Sequence, residues 1–211
     1  MRRAWRILAL VALVGVGAAA IGPVRRAALR GLGHMLVASD DVRPADLLVM
    51  DVESGRAGIL TVGDLRRSQP TATVGVLMRK ATSIDAELAR RGIVLPDLTL
   101  SMLAQLGIPP EAIVKMAVGD DGTTETAAAL SEWGRQNPGK RALVVVGPSH
   151  GRRYRRVLRR VWPAGNPAPI VVTTAYGLFR ADDWWTSRTT AREGLVELEK
   201  LLLDYVQHPW N

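Results

Sequence analysis

The sequence predicts an α/β domain, a doubly wound and mainly parallel sheet of about five strands, preceded by one hydrophobic N-terminal segment. Three observations predict it. Short apolar runs rich in Val, Ile and Leu recur along the chain, each bounded by turn residues. Stretches with helical spacing separate them, and that alternation implies parallel strands joined by right-handed crossovers. The run ALVVV at residues 142–146 has no polar position, as a strand covered on both faces requires.

Residues 7–24, ILALVALVGVGAAAIGPV, carry no charge. As a helix they would rise roughly 27 Å, close to the ~30 Å hydrocarbon core of a bilayer. Arg2, Arg3 and Arg6 precede the run and Arg25, Arg26 and Arg30 follow it, which suits two headgroup layers. Residues 1–30 are therefore read as a membrane anchor. A signal peptide cleaved near Ala18-Ala19-Ala20 and a buried helix are the alternatives. The two basic flanks balance, so the positive-inside rule does not orient the chain. Its export-type N-terminus points to a single-pass membrane protein, with the domain on the extracytoplasmic side.

The remaining elements follow in order. Residues 31–44 read as a linker, polar and turn-rich from Val37 to Pro44, and residues 45–207 as the domain. The first strand is expected at 47–50, then a polar turn and a helix at about 57–67. A second strand at 71–78 ends at Arg79-Lys80. Helical pieces follow at 83–91 and 98–106, a strand at 113–118 and a helix at about 124–136. After the turn Asn137-Pro138-Gly139 come the strand at 142–146, a helix at about 152–161 and a last strand at 170–174. In the final helix, at about 187–206, Ala191, Leu195, Leu198, Leu202 and Tyr205 are expected to form the apolar face.

Composition narrows the function classes. A chain of 211 residues, 47% hydrophobic and 23% charged, suits one globular domain plus an anchor. It has no cysteine, so disulfides, thiolate metal sites and cysteine nucleophiles are excluded. The net charge of +8 belongs to the membrane flanks, since every acidic residue lies at Asp40 or later. The domain itself is nearly neutral, which argues against nucleic acid as a partner.

In a doubly wound sheet, ligands sit beyond the C-terminal strand ends. Three strand-to-helix turns there are unusually polar. The first holds Asp51, Glu53, Ser54 and Arg56, the second Asp120, Asp121, Thr123 and Glu125, the third Ser149, His150, Arg152 and Arg153. His150 and Arg153 at a helix start suit a phosphate or carboxylate. His150 also suits acid/base work near neutral pH, and Glu125 is the candidate carboxyl partner. Thr123 would cap and orient. Asp120, Ser149 and Ser54 would complete the ligand contacts, and Asp51 with Glu53 would finish the site or hold a divalent cation. In the helix at 152–161, Tyr154, Val157, Leu158 and Val161 form the apolar stripe. Arg152, Arg155, Arg156 and Arg159 are expected to face outward, where they could touch lipid headgroups. Trp184-Trp185 with Arg188 reads as packing, as a ligand lid or as a membrane-surface contact.

Together these segments resemble the YdcF/SanA/ElyC family, a domain of unknown function. Thr123-Thr124-Glu125-Thr126-Ala127 resembles its T-x-E-N-A helix start, and VVVGPSHGRR at 144–153 its strand followed by H-x-x-R. Ala45-Asp46 before LLVMD resembles its first strand, and Trp184-Trp185 followed by Glu197-x-x-Lys200 its C-terminal helix. The resemblance implies a Rossmann-like domain at the outer face of the bacterial inner membrane, linked to peptidoglycan or lipid-carrier metabolism. It implies as ligand an anionic small molecule or a lipid-linked precursor.

The chain departs from the family pattern after its first, second and fourth strands, where Asp51-Val52-Glu53-Ser54-Gly55, Arg79-Lys80-Ala81 and Val146-Gly147 stand. The first two lack the family's glycine pairs, which let backbone N–H groups approach a phosphate. That departure favours one alternative, a non-catalytic envelope scaffold or regulator, and counts against the second, an S-adenosylmethionine or nucleotide binder, which the resemblance also implies. The sequence names no cofactor, metal or protein partner.

Overall fold

In the computed structural model, which describes residues 22–93, 97–119 and 122–210, five parallel strands form one sheet with helices on both faces. The elements are α1 (Gly22–Leu36), β1 (Leu47–Met50), α2 (Gly55–Ser68), β2 (Thr73–Arg79), α3 (Ser83–Arg90), α4 (Leu98–Gln105), β3 (Ile113–Val118), α5 (Thr123–Gln136), β4 (Ala142–Val146), α6 (Gly151–Val161), β5 (Ile170–Thr173) and α7 (Arg188–Gln207). The strand order is β3-β2-β1-β4-β5. β1 therefore lies between β2 and β4, pairing Leu47 with Thr73 on one side and with Ala142 on the other. The chain winds one way from β1 and then the other, so a crevice opens between the β1 and β4 ends.

The strands are apolar throughout because both faces are covered. Leu48, Met50, Val74, Leu143 and Val145 point to one core, closed by Ile59, Val62 and Leu65 of α2 and Leu103 of α4. Leu47, Val49, Val144 and Val146 point to the other, closed by Leu130 of α5 and by Tyr154, Val157 and Leu158 of α6. Gly75 of β2 lies in the crowded centre. A Cβ there would stand 2.5 Å from the Met116 side chain and 2.7 Å from that of Val49.

Two expectations at the N-terminus need restating. Residues 7–24 lie outside the described residues, except Gly22, Pro23 and Val24, which open α1. No helix among the described residues is long and apolar enough to cross a membrane. Residues 31–44 are not a free linker. α1 runs to Leu36, which is fully buried with Phe179, Trp184 and Leu201 in a third, smaller core. The Asp40 N–H then donates to the Val171 carbonyl (2.8 Å), and Asp40 Oδ2 accepts from the Val171 N–H (2.9 Å). The Ser39 hydroxyl accepts from the Thr173 N–H. The segment reads as polar because it satisfies the open edge of β5, not because it is solvated.

The last helix presents a different face from the one expected. α7 buries Thr190, Gly194, Glu197, Leu201 and Asp204, while Leu195 and Leu202 are 61% and 65% exposed. Both sets share a 4-3-4-3 spacing, but the buried stripe is offset by one residue from that of Ala191, Leu195, Leu198, Leu202 and Tyr205. Charge pairing decides the rotation. Arg153, Arg156 and Arg160 of α6 point at α7, where Arg153 pairs with Glu197 and the other two pair with Asp204. Arg156 therefore does not face outward, and Arg155 pairs with Asp40. Gly194 admits the Trp184 ring, which a Cβ would meet at 2.5 Å.

Overpacking at the sheet centre gives a direct test. Gly75→Ala should lower stability by about 1–3 kcal/mol, as added volume in a close-packed core does. Chemical denaturation of the variant checks this, and an unchanged midpoint would mean that the β2 surroundings are looser than described.

Candidate functional site

The crossover topology assembles the site. The turns after β1 and β4 stand side by side because those strands pair, and the Asp51 N–H extends the ladder by donating to the Val145 carbonyl (2.8 Å). α5 belongs to the long crossover from β3, at the sheet edge, back to β4. Gly122, at φ +67, turns the chain into α5. Thr123 thereby reaches the same rim.

His150 is the meeting point. It ends a 3-10 turn, Pro148–His150, that runs into α6, and it is 2% exposed. Its Nδ1 lies 2.9 Å from Glu197 Oε2 and its Nε2 lies 3.1 Å from Thr123 Oγ1. Asp51 Oδ2 is 3.8 Å from Nε2, and Glu53 Oε2 is 3.7 Å from Nδ1. The Tyr154 ring packs edge-on at 5.5 Å.

Arg153 braces this group. Its Nε and Nη2 donate to the two oxygens of Glu197 (3.0 and 3.1 Å), a bidentate pair, while Nη1 donates to Thr123 Oγ1 (2.9 Å). Both imidazole nitrogens are engaged. Nδ1 lies between the Glu197 carboxylate and Arg153 Nη2 (3.0 Å), and Nε2 meets the Thr123 hydroxyl, whose oxygen accepts from Arg153. The Lys200 ammonium donates to Glu197 Oε1 (2.9 Å).

Two carboxyls shift in opposite directions. Burial raises the Glu197 carboxyl, but bonds from His150 and Arg153 and their charges outweigh it, leaving the group well below its ordinary 4.5. Burial dominates at Asp51 and raises it above 3.8, with Glu53 adding repulsion and His150 opposing.

Above this floor lies a cavity of about 590 Å³. Glu53, Ser149, His150 and Glu197 line its inner side, and Arg188, Arg192, Glu193 and Lys200 of α7 its outer wall. The Ser149 hydroxyl donates to the Glu193 carboxylate.

The sequence candidates therefore separate. Asp51, Glu53, Thr123, Ser149, His150 and Arg153 come together at one rim, but only Glu53, Ser149 and His150 face the cavity. Arg153 and Thr123 position the imidazole from behind. Ser54 is not a ligand contact: its hydroxyl donates to the Asp51 carbonyl (2.5 Å) and packs under Gly58. Glu125 does not join His150. Its carboxylate lies over Gly119, where a Cβ would stand 1.5 Å from Oε2, and it does not line the cavity. Two residues past the inward Thr123, it is turned away by the pitch of the helix. Asp120 lies outside the described residues. Trp184 is no lid, because it is 2% exposed, stacks on Phe179 and donates its indole N–H to the Leu29 carbonyl.

Sequence reasoning ranked Glu197 only as a mark of resemblance. Its available signal was a carboxylate three residues before Lys200 on a helix otherwise rich in leucine. Arg192 and Glu193 gave none.

Asp51, Glu53 and His150 each bring one potential metal-ligating atom within 4.8 Å of the others. Both imidazole nitrogens already lie at hydrogen-bond distance from protein groups, so this geometry by itself assigns no metal.

Two tests follow. Glu197→Gln leaves Arg153 short of its counter-charge and should cost about 3–5 kcal/mol at pH 7, as breaking a buried pair does. The Glu197 carboxyl titrates below its unfolded value when folded. Its stabilisation is therefore complete above about 4.5 and declines as pH falls toward the folded value, so wild type and variant should converge in acid. The raised Asp51 carboxyl has the opposite sign: its ionised form destabilises the fold above its ordinary 3.8. Asp51→Asn should therefore raise the thermal midpoint at pH 7 and leave it unchanged below that value. Denaturation series across pH check both. No protein-family model matches the chain, and no curated protein matches its sequence, so its own geometry carries the functional reading.

Proposed function

We propose that this chain is a membrane-anchored cell-envelope protein that binds an anionic, phosphate-bearing metabolite or lipid-linked precursor in the rim cavity. The unused charge of the outer wall carries the reading. Arg188 and Arg192 line the cavity and pair with no other described residue. Glu197 is already matched by Arg153, His150 and Lys200, so an anion at this wall meets two guanidinium groups without a competing carboxylate at either. Glu53 and Glu193 on the same cavity accept hydroxyl or amine donors, which favours a phosphate carried on a polyhydroxylated group over a bare ion. The envelope setting rests on the uncharged run at 7–24, its basic flanks and the family resemblance.

One observation favours a second reading, a non-catalytic envelope scaffold or regulator. Both nitrogens of His150 are bonded to protein groups, and Thr123, the one hydroxyl in contact with the ring, faces a crevice of only about 10 Å³. Thr123, His150 and Glu197 have the connectivity of a hydroxyl–imidazole–carboxylate relay, but the hydroxyl is not presented to the cavity.

The experiment is a thermal-shift titration of the full chain in detergent with pyrophosphate, a sugar 1-phosphate and a polyprenyl phosphate. At least one should raise the midpoint, and Arg188→Glu with Arg192→Glu should abolish that shift without lowering the unliganded midpoint. A shift that survives the double charge reversal would refute the site. Phosphate release from the same probes separates the readings: release by wild type that His150→Gln abolishes favours turnover, and binding without release favours the scaffold.

A further inference from the structure

The other strongly charged concavity lies along α6 beside the end of α7, in a region the rim cavity does not share. Arg152, Arg155, Arg156, Arg159, Arg160 and Tyr205 enclose about 330 Å³. The local acids are Asp40, beside Arg155 (2.9 Å), and Asp204, which accepts from Arg156 and Arg160 (2.7 Å each). Among the described residues, five guanidinium groups thus face two carboxylates.

Several donors there are unused. Arg155 Nε and Arg160 Nη1 are buried without a hydrogen-bond partner, and Arg155 Nη2 approaches Asp40 without hydrogen-bond alignment. Arg159 is exposed and pairs with no described residue. Burial lowers the Arg155 pKa from its ordinary value, Asp40 opposes the shift, and Arg159 and Arg152 add to it. Buried donors of one sign crowded together are stabilised by an anion with several acceptor oxygens, and a phosphate offers them in the geometry guanidinium matches.

The surroundings indicate what carries that phosphate. Arg152 Nε donates to the Met35 carbonyl (2.8 Å) at the end of α1, the helix that continues the uncharged run at 7–24. The elements that contribute to the pocket also carry exposed apolar side chains. Met35 is 51% exposed, and Tyr205 of α7, on whose ring Arg156 stacks at 3.8 Å, is flanked by Leu202 and Val206 at 65% and 71%. Trp210, 95% exposed, follows three residues after the helix ends. Arginines on elements that also expose aliphatic and indole groups match the headgroup layer, where phosphate and the first methylenes lie together. A soluble anion would leave those apolar side chains in water.

We propose that the arginine pocket of α6 binds the phosphate of an anionic phospholipid headgroup and seats this side of the domain on the membrane surface. The pocket shares no lining residue with the rim cavity, so the inference is independent of the ligand proposed there.

The test uses the full chain in nanodiscs of phosphatidylcholine alone, or of phosphatidylcholine with phosphatidylglycerol. Phenylglyoxal labels accessible arginines, and mass spectrometry reads the modification of residues 152–160. Anionic discs should lower labelling of Arg159 and Arg155 several-fold relative to neutral discs. Arg159→Glu, whose unfolding midpoint should match wild type, should remove the protection at Arg155. Equal labelling in the two discs would overturn the proposal. Protection in neutral discs by inorganic phosphate, with none from phosphatidylglycerol, would also overturn it by assigning the pocket to a soluble anion.

Discussion

A single buried carboxylate organises the functional end of this molecule. Glu197, 5% exposed, sits between the imidazole of His150, the fork of Arg153 and the Lys200 ammonium. Burying one charge is costly, and burying it with matched donors on every side recovers that cost only when the geometry is closely defined. The group therefore acts mainly through position. It holds α7 in register against α6 and fixes the imidazole of His150 between its own carboxylate and the Thr123 hydroxyl.

The same requirement explains the rest of the α6–α7 contact. Arg156 and Arg160 converge on Asp204 two turns along from Glu197, so the two helices face each other with ionic stripes. A consequence is that α7 turns its leucines outward. Apolar residues at Leu195, Leu202 and Val206 are exposed because charge pairing, not apolar area, set the rotation of the helix. The domain thereby gains a rigid imidazole site on one side of α7 and an apolar surface on another.

Asp51 shows the complementary economy. Its carboxyl lies in the crevice between β1 and β4, is raised by burial and stands 3.8 Å from His150 Nε2. A group that destabilises the fold when ionised is the kind of residue a binding or catalytic site retains at the expense of stability. Ser54, in the same turn, is purely architectural, since its hydroxyl closes the turn that presents Asp51.

Strand and helix positions were legible in the sequence because apolar periodicity is a local property: β1, β3 and β4 begin and end where their runs do. The convergence of the three polar turns was also legible, because parallel strands put their following turns on one edge. The one-residue rotation of α7 was not, since two stripes with identical spacing compete on that helix and their partners are forty or more residues away on α6. For the same reason Arg153 read as an anion-holding residue, although Glu197 occupies it, and Glu125 read as a partner of His150, although α5 turns it toward Gly119. The sequence by itself determined the α/β alternation, the sheet edge on which polar turns gather and the uncharged N-terminal run, all consequences of short-range pattern. Tertiary structure alone decided which charges neutralise each other and which, such as Arg188, Arg192 and Arg159, are left over, because pairing between distant helices depends on distances that no linear spacing encodes.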